Sequence, residues 1–416
     1  MIPPASASLI IVSRGRSAEL RRCLRAVAQL DHPFFELVVV ADAEGRAALV
    51  SLGLADAVKT VPFEWANISR ARNAGIAAAA GEIVAFIDDD AVPEPTWLSR
   101  LATAFTDERV AAATGFVRGR NGISFQHRAG WADALGRTMP LEADPHAISL
   151  HQGRAGVAVK TEGTNMAFRR AMLARMGGFD PAFHFYLDET DLNMRQAAEE
   201  QITAIVPTAQ VHHGFAASSR RRADRVPLDL FEIGASTAVF LRKHAPPARH
   251  DMVLAALARD QRRRALEHMV AGRLEPRDVK RLLESLAAGV ADGQQRQIAR
   301  LPPIGDPQAP FRLFAPAHGP RPGRILAGWT WQGRKLRRAA RRHLAAGAVV
   351  TVFRFSPTTL FHHMIFHPDG YWLQTGGLWG RSERSQPLLR ACGFARRLRA
   401  ETARIAPYRP VDSMIG

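Results

Sequence analysis

From residue 8 to about 115, short apolar runs rich in β-branched residues alternate with segments of helical period, and this alternation restricts the fold more than any other feature. Strands separated by helices make βαβ units, which build a mainly parallel sheet. Leu9–Val12, Leu37–Val40, Ala57–Val61 and Ile83–Ile87 are the expected buried strands. Between them, Leu20, Cys23, Leu24, Val27 and Leu30 recur at i, i+3, i+4 spacing, which predicts a helix from Ser17 to Leu30 with Ser17 as its N-cap. Asn67 to Ala80, stopped by Gly81, and Pro95 to about Thr106 are the next expected helices.

The pattern loosens over 116–165, a stretch rich in Gly, His and Arg that is expected to carry acceptor-side loops. Regularity returns with a strand at Thr164–Phe168, a helix from Arg170 to Met176 ended by Gly177 and Gly178, a helix from Leu192 to Glu200, and strand character over 201–211. After His244-Ala-Pro-Pro the composition changes. Residues 250–300 read as almost wholly helical, and a Pro/Gly-rich boundary follows at 302–323. The last hundred residues predict a basic helix (Gly333–Ala346), strands at Val349–Phe355 and Leu360–Phe366 with a turn at Pro368–Gly370, and a final helix (Gln386–Ile405). The expected division is therefore an α/β catalytic domain over 1–245, a helical basic segment over 246–300, and a small α+β C-terminal module over 301–416.

The formal charge of +17 asks for an anionic partner, whether phosphate-bearing substrate, anionic membrane surface or nucleic acid. Much of it comes from the arginine runs Ser219–Arg222, Asp260–Arg264 and Arg334–Arg342. No groove-reading motif accompanies them, so nucleic acid is not an expected partner. Trp329 and Trp331 ahead of the last run suit an anionic membrane interface, and a solvated arginine face explains that run equally well. No stretch approaches the ~20 apolar residues of a membrane span. The N-terminal apolar run has no basic region ahead of it and reads as a strand rather than a secretory signal, so the expected location is cytoplasmic, with peripheral contact at the inner face of the membrane. Cys23 and Cys392, the two cysteines, are expected to be packed thiols.

The residues that point to chemistry cluster at strand ends. Asp88-Asp89-Asp90 closes the strand Ile83–Ile87, where open α/β sheets bind ligands. Three adjacent carboxylates repel one another, and a divalent cation is the simplest compensation. If the strand continues, Asp88 and Asp90 share that cation while Asp89 faces away. Asp42 stands at the corresponding end of another strand, placed to accept hydrogen bonds from a base or ribose. Arg70, Arg72 and Asn73 form a polar cluster at a helix start, where an arginine can grip a diphosphate. Asp188, Glu189 and Asp191 gather at another helix start. Asp191 reads as a capping acid, and either Asp188 or Glu189 as a general base for an acceptor hydroxyl. One of the adjacent His212 and His213 can complete the metal site. His362, His363 and His367 read as members of a packed strand pair rather than as metal ligands.

These motifs resemble the family 2 glycosyltransferases of the two-layered nucleotide-binding fold called GT-A. Ser8-Leu-Ile-Ile-Val-Ser-Arg-Gly-Arg resembles the family's opening strand, with Val12-Ser13-Arg14-Gly15 where Pro-Thr-Tyr-Asn is usual. Ala71-Arg-Asn-Ala-Gly-Ile followed by Gly81-Glu-Ile-Val-Ala-Phe-Ile-Asp-Asp-Asp resembles its central signature, and the likeness runs from 8 to about 215. The resemblance implies donor binding by Ser13, Arg14, Asp42, Arg72, Asp88 and Asp89, with Arg14 substituting a cationic contact for aromatic stacking on the base. It implies Mg²⁺ or Mn²⁺ held by Asp88 and Asp90 with His212 or His213. Thr164, Asn165 and Asp191 fall on the acceptor side, and Asp188-Glu189 takes the place of the catalytic acid pair in reversed order.

The expected function is transfer of a sugar from a nucleoside-diphosphate sugar, with a UDP-sugar favoured, to a saccharide or lipid-linked acceptor hydroxyl with inversion, in polysaccharide or glycoconjugate synthesis. A metal-dependent nucleotidyltransferase and a non-catalytic nucleic-acid-binding protein are the alternatives. The first wants a Gly-rich triphosphate loop, of which Ser13-Arg-Gly-Arg-Ser is a faint version.

Overall fold

The computed structural model describes residues 5–214, 216–218, 220–317 and 319–415; Met1–Pro4 of the N-terminal reading and Ser219 of the first arginine run lie outside the described residues. The first part of the chain runs β1 (Ala7–Ser13), α1 (Ser17–Val27), β2 (Phe35–Ala41), α2 (Ala43–Ser51), β3 (Lys59–Pro62), α3 (Ile68–Ala78), β4 (Ile83–Asp88), β5 (Ala91–Pro93), α4 (Trp97–Ala104) and β6 (Val110–Arg118). The loosely patterned stretch folds as short strands: β7 (Phe125–His127), β8 (Gly130–Asp133), β9 (Thr138–Pro140), β10 (Ser149–Gln152) and β11 (Val157–Val159). Then come β12 (Met166–Arg169), α5 (Arg170–Arg175), α6 (Asp188–Ala198) and β13 (Ile202–His213).

The long strands of this part join one ten-stranded sheet of order β10-β13-β6-β12-β4-β1-β2-β3, with β5 on β13 and β7 on β6. β1 pairs in parallel with β2 on one side and β4 on the other, and β12 runs antiparallel between β4 and β6. Apolar runs buried on both faces require two cores. Leu9, Ile11, Leu37 and Val39 face α1 and α4, whereas Ile10, Val38, Val40 and Phe86 face Ala71 and Ile76 of α3 and Leu173 of α5. The α/β fold class expected from the alternation, with a mainly parallel sheet, is the architecture found in this part of the chain.

Two helix starts differ from expectation. Arg16, not Ser17, occupies the cap position of α1, and no side chain caps that helix. α6 begins at Asp188 rather than Leu192, so Asp188 and Glu189 lie inside its first turn and not ahead of the cap. Their charges suit the positive end of the helix dipole, which extends the helix over them.

Three helices follow: α7 (Phe231–His244), α8 (His250–Val270) and α9 (Pro276–Gln295). α7 and α9 approach at backbone distance, because a Cβ on Gly289 would lie 1.9 Å from the Phe231 carbonyl oxygen and one on Gly293 2.2 Å from that of Ala235. The segment after α9 runs back along the first sheet. Phe314 enters its core, and the Phe314 amide donates to the Phe35 carbonyl (2.8 Å).

The C-terminal module comprises β14 (Gly323–Trp329), α10 (Gly333–Ala345), β15 (Val349–Ser356), β16 (His363–Phe366), β17 (Trp372–Gly377), α11 (Phe394–Ile405) and β18 (Ser413–Ile415), in sheet order β16-β17-β15-β14-β18. β14, β15, β17 and β18 are parallel and β16 is antiparallel, so helices and strands alternate here rather than segregate as an α+β arrangement would. α11 starts at Phe394 and not at Gln386, with Gly393 in extended conformation at its cap position. One face of this sheet shares a core with Ala26, Val92 and Ile123 of the first part. At that junction Arg409 forms a double hydrogen bond with Glu94 (2.6 and 2.8 Å), both side chains fully buried, and lies 3.9 Å from the Trp372 ring centre.

Candidate functional site

The carboxyl ends of β1, β2 and β4 open onto a cleft of about 510 Å³, within the usual range for a small-molecule site. The chain leaves β1 for β2 on one side and later returns on the other as β4, so the cleft sits at the switch point of the sheet. Ser13, Arg14, Asp42, Asp88 and Asp89 line it.

Asp42 is built in by two backbone donors. Its carboxylate caps α2 by accepting from the Gly45 amide (2.9 Å) and holds the β1–α1 turn by accepting from the Gly15 amide (2.6 Å). Gly15 has φ +64°, a left-handed conformation that glycine takes at little cost. Asp42→Ala is therefore expected to lose about 1 kcal/mol of stability with the cap and to loosen the turn carrying Arg14 and Arg16. Asp42→Asn should keep most of the cap, and urea titration of both variants beside nucleotide affinity separates the two effects.

The acidic triplet divides, although β4 ends at Asp88 and residues 89–90 form a turn rather than continuing the strand. Asp89 turns inward, where it accepts from the Ser13 hydroxyl (2.8 Å) and pairs with Arg16 (3.1 Å); burial pushes its carboxyl up to about 7 despite these partners. Asp88 and Asp90 turn towards His213. Among the described residues these three form the one group of three acid, imidazole or thiol side chains able to hold a metal ion, with ligand atoms within 4.8 Å of one another. β5 makes this possible: it runs antiparallel to β13 and sets His213 opposite Ala91, beside Asp90. The Gly214 amide then donates to the Asp90 carbonyl (2.9 Å) and the Ala216 amide to its carboxylate (2.8 Å). Burial opposes ionisation of Asp90, but His213, the Ala216 amide and Arg16 hold its carboxyl well below the ordinary range. His213 is correspondingly raised, burial being outweighed by Asp90. Two carboxylates and an imidazole fit Mn²⁺, and the carboxylates alone fit Mg²⁺.

His212 is excluded from that group. Neighbouring residues on a strand point to opposite faces, and its Nε2 meets Glu94 (2.7 Å) while its ring packs on Trp372 (4.7 Å). Arg72 also differs from expectation. It lies behind the cleft rather than in it, 4% exposed, bridging Asp88 (3.5 Å) and Asp188, with the Phe179 ring at 5.1 Å. Asp188, its direct partner, is buried, whereas Glu189 is half-buried. The charge of Glu189 acts on Lys160 and Tyr186. Tyr186 and Leu187 hold left-handed φ of 73° and 64° immediately ahead of this acid pair. Such strain costs on the order of 1–3 kcal/mol per residue and gathers at functional sites.

Of the acceptor-side residues, Asn165 and Asp191 are fully buried and engaged inside the fold. Asn165 accepts from the Trp97 indole (2.8 Å) and donates to the Phe116 and Ala209 carbonyls. Asp191 caps nothing; it pairs with Arg195 (2.9 Å), Lys243 (2.6 Å) and His244 (2.9 Å), tying α6 to α7. Thr164 is buried as well. Nor do the C-terminal histidines gather: His362 reaches the Gly377 carbonyl, His363 the Arg120 carbonyl, and His367 stacks on Tyr371.

The structure adds cleft residues that sequence reasoning missed. Arg16 stands two positions after Arg14 and pairs with the triplet. Trp65, 69% exposed, lies edge-on to Phe63 (5.4 Å) at the end of β3. Arg220, from the run assigned only to bulk charge, lines the cleft with its guanidinium 4.4 Å from the Phe185 ring centre. An aromatic directly after a strand end and an arginine run directly after a His-His pair were the available signals.

Residues 8–177 match the family model described as glycosyl transferase family 2. The family 2 resemblance is thereby shown for that segment, which holds the triplet, Asp42 and Arg72 but stops short of the acid pair and His213. The chain is similar to an uncharacterized glycosyltransferase of Nostoc sp. (strain PCC 7120), 28% identical over 187 residues, 42% of this chain and 54% of that protein. It thus spans about half the length of the curated relative it matches. Similar solved structures include a mannosyltransferase of Pyrobaculum calidifontis with GDP-Man and Mn²⁺ (TM-score 0.41, 18% identity, 70% of this chain and 87% of that one). Another is S. aureus TarS 1–349 with UDP-GlcNAc (TM-score 0.44, 15% identity, 69% and 81%).

Proposed function

We propose that this protein is an inverting glycosyltransferase that moves a sugar from a nucleoside-diphosphate sugar, a UDP-sugar before others, to an acceptor hydroxyl with the help of Mg²⁺ or Mn²⁺. The carrying observation is one connected set of side chains: Arg72 ties Asp188, which opens α6 together with Glu189, to Asp88 of the metal-binding group, and Asp88 lines the cleft that holds Asp42 and three arginines. Asp42 and the exposed face of Trp65 suit a base and ribose. Arg14, Arg16 and Arg220 supply positive charge for a diphosphate. Asp88, Asp90 and His213 would hold the cation, which supplies charge neutralisation at the leaving diphosphate.

Glu189 is the base in this reading, because Asp188 is committed to Arg72. Its carboxylate takes the acceptor proton while the acceptor oxygen attacks the anomeric carbon opposite the diphosphate. A single displacement inverts that carbon. A saccharide or lipid-linked acceptor, synthesis of polysaccharide or glycoconjugate, and the division at about residues 245 and 300 belong to the same proposal.

Purified protein with Mn²⁺ and a series of nucleotide sugars is expected to hydrolyse one of them slowly, and thermal shift should identify it, since a ligand of the folded state raises apparent stability. Asp90→Ala is expected to abolish the Mn²⁺-dependent part. Absence of nucleotide binding and turnover by the wild-type chain, or unchanged turnover by Asp90→Ala, rejects the reading.

A further inference from the structure

The C-terminal module carries an edge of a different character from the cleft. Among its described residues, six large apolar side chains are exposed, and five of them, Trp331, Leu360, Phe361, Leu388 and Leu389, lie in the loops that leave the carboxyl ends of β14, β15 and β17. Parallel strands send those loops to one side of the sheet. Hydrogen bonds join them: the Gly377 amide donates to the Leu360 carbonyl (2.9 Å), the His362 amide to the Arg381 carbonyl (3.1 Å), and the Arg390 amide to the Trp379 carbonyl (2.9 Å). Trp331 stacks on Trp329 (5.2 Å, 9°), which packs on Phe394 at the end of the last loop. Each of the five is at least 58% exposed, so none serves the core.

The same edge is cationic. Arg334 and Lys335 follow Trp331, and Arg381, Arg384 and Arg390 flank the leucine pair, against Glu383 as the acid of that loop. Residues 323–416 contain sixteen Lys and Arg and four Asp and Glu, a formal +12 of the chain's +17. Paired Leu-Leu and Leu-Phe tips within an arginine rim do not suit a nucleic acid, whose backbone rewards the cations and leaves the leucines in water. They suit a bilayer, where apolar tips enter the acyl boundary and cations meet anionic headgroups.

We infer that this loop edge, with Phe361, Leu388 and Leu389 at its tips and Arg384 and Arg390 beside them, docks the protein on an anionic lipid bilayer. Two hydrogen bonds carry the edge towards the cleft: His363 Nε2 meets the Arg120 carbonyl (2.9 Å), and the Arg120 guanidinium donates to the Ala223 carbonyl (2.7 Å), in the segment whose Arg220 lines the cleft. The inference rests on the module's shape and charge and not on the transferase reading, so vesicle binding and nucleotide turnover fail separately.

The test is co-sedimentation of the full chain with phosphatidylcholine vesicles, with and without about 30 mol% phosphatidylglycerol. Binding to the anionic vesicles should exceed binding to neutral ones by roughly tenfold or more and weaken as salt is raised. The triple variant Phe361→Ser, Leu388→Ser, Leu389→Ser and, separately, Arg384→Glu with Arg390→Glu should each lose about tenfold in binding. Both sets are exposed, and an unchanged melting curve confirms the fold. Equal binding to neutral and anionic vesicles, full binding by both variants, or retention on duplex DNA without vesicle binding overturns the inference.

Discussion

Glu189→Gln is expected to lower kcat by about 10²–10⁴-fold, the usual worth of a positioned general base, while nucleotide affinity stays at the wild-type value. The amide keeps the size of the side chain and removes the carboxylate to which the proposed reaction assigns the acceptor proton. Asp188→Asn should behave differently. Asp188 is buried against Arg72, which also faces Asp88, so its loss releases a buried guanidinium next to the metal-binding group and weakens donor binding together with turnover. Single-turnover rates and nucleotide titration on both variants distinguish the roles. A Glu189→Gln enzyme with the wild-type rate, beside an Asp188→Asn enzyme that binds donor but does not transfer, would move the base to Asp188.

Arg409→Ala is expected to cost about 3–5 kcal/mol of stability, as breaking a buried ion pair usually does. Its guanidinium is fully buried, bonded twice to Glu94, bonded to Thr351 (3.1 Å) and packed on Trp372. Removal leaves the Glu94 carboxylate with His212 alone in the apolar junction between sheet and module. Glu94→Gln with Arg409→Met should recover much of the loss, because the penalty lies in the unpaired charge. Urea unfolding of the single and double variants measures this; additive losses in the double variant would show the two groups to be uncoupled.

The pair also predicts a response to acid. Burial alone would raise the Glu94 carboxyl, but Arg409 and then His212 hold it at about 2, below its ordinary 4.5. A carboxyl lowered in the folded state contributes stability that is fully present above its unfolded pKa and is lost as pH falls through the folded one. Wild-type stability should therefore fall between about pH 4.5 and pH 2, and Glu94→Gln should flatten that slope. Glu401, held at about 2 chiefly by Arg404 against burial, adds to the same acid limb.

Local pattern and tertiary placement contributed differently to what could be read. Period and strand-end position sufficed for the first four strands and for the triplet at the end of β4, because both are properties of neighbouring residues. They failed where a group's fate depends on what comes back to it. Arg72 is a diphosphate-binding residue by motif and a bridge between two acids in the fold. Asn165 and Asp191 fall in acceptor-side motifs and are spent on internal hydrogen bonds and ion pairs. α11 begins eight residues later than its composition suggested.

The alternation of apolar strands and helical segments was enough by itself to determine a mainly parallel sheet with an acidic triplet at the carboxyl end of a central strand, since strand burial and helix period are local consequences of side-chain order. Only the tertiary structure decided that His213 and not His212 joins Asp88 and Asp90, that Asp188 is bound to Arg72, and that the C-terminal module locks onto the first sheet through Glu94 and Arg409. Those outcomes come from the pairing of β5 with β13 and from side chains hundreds of residues apart that can leave water only in each other's company.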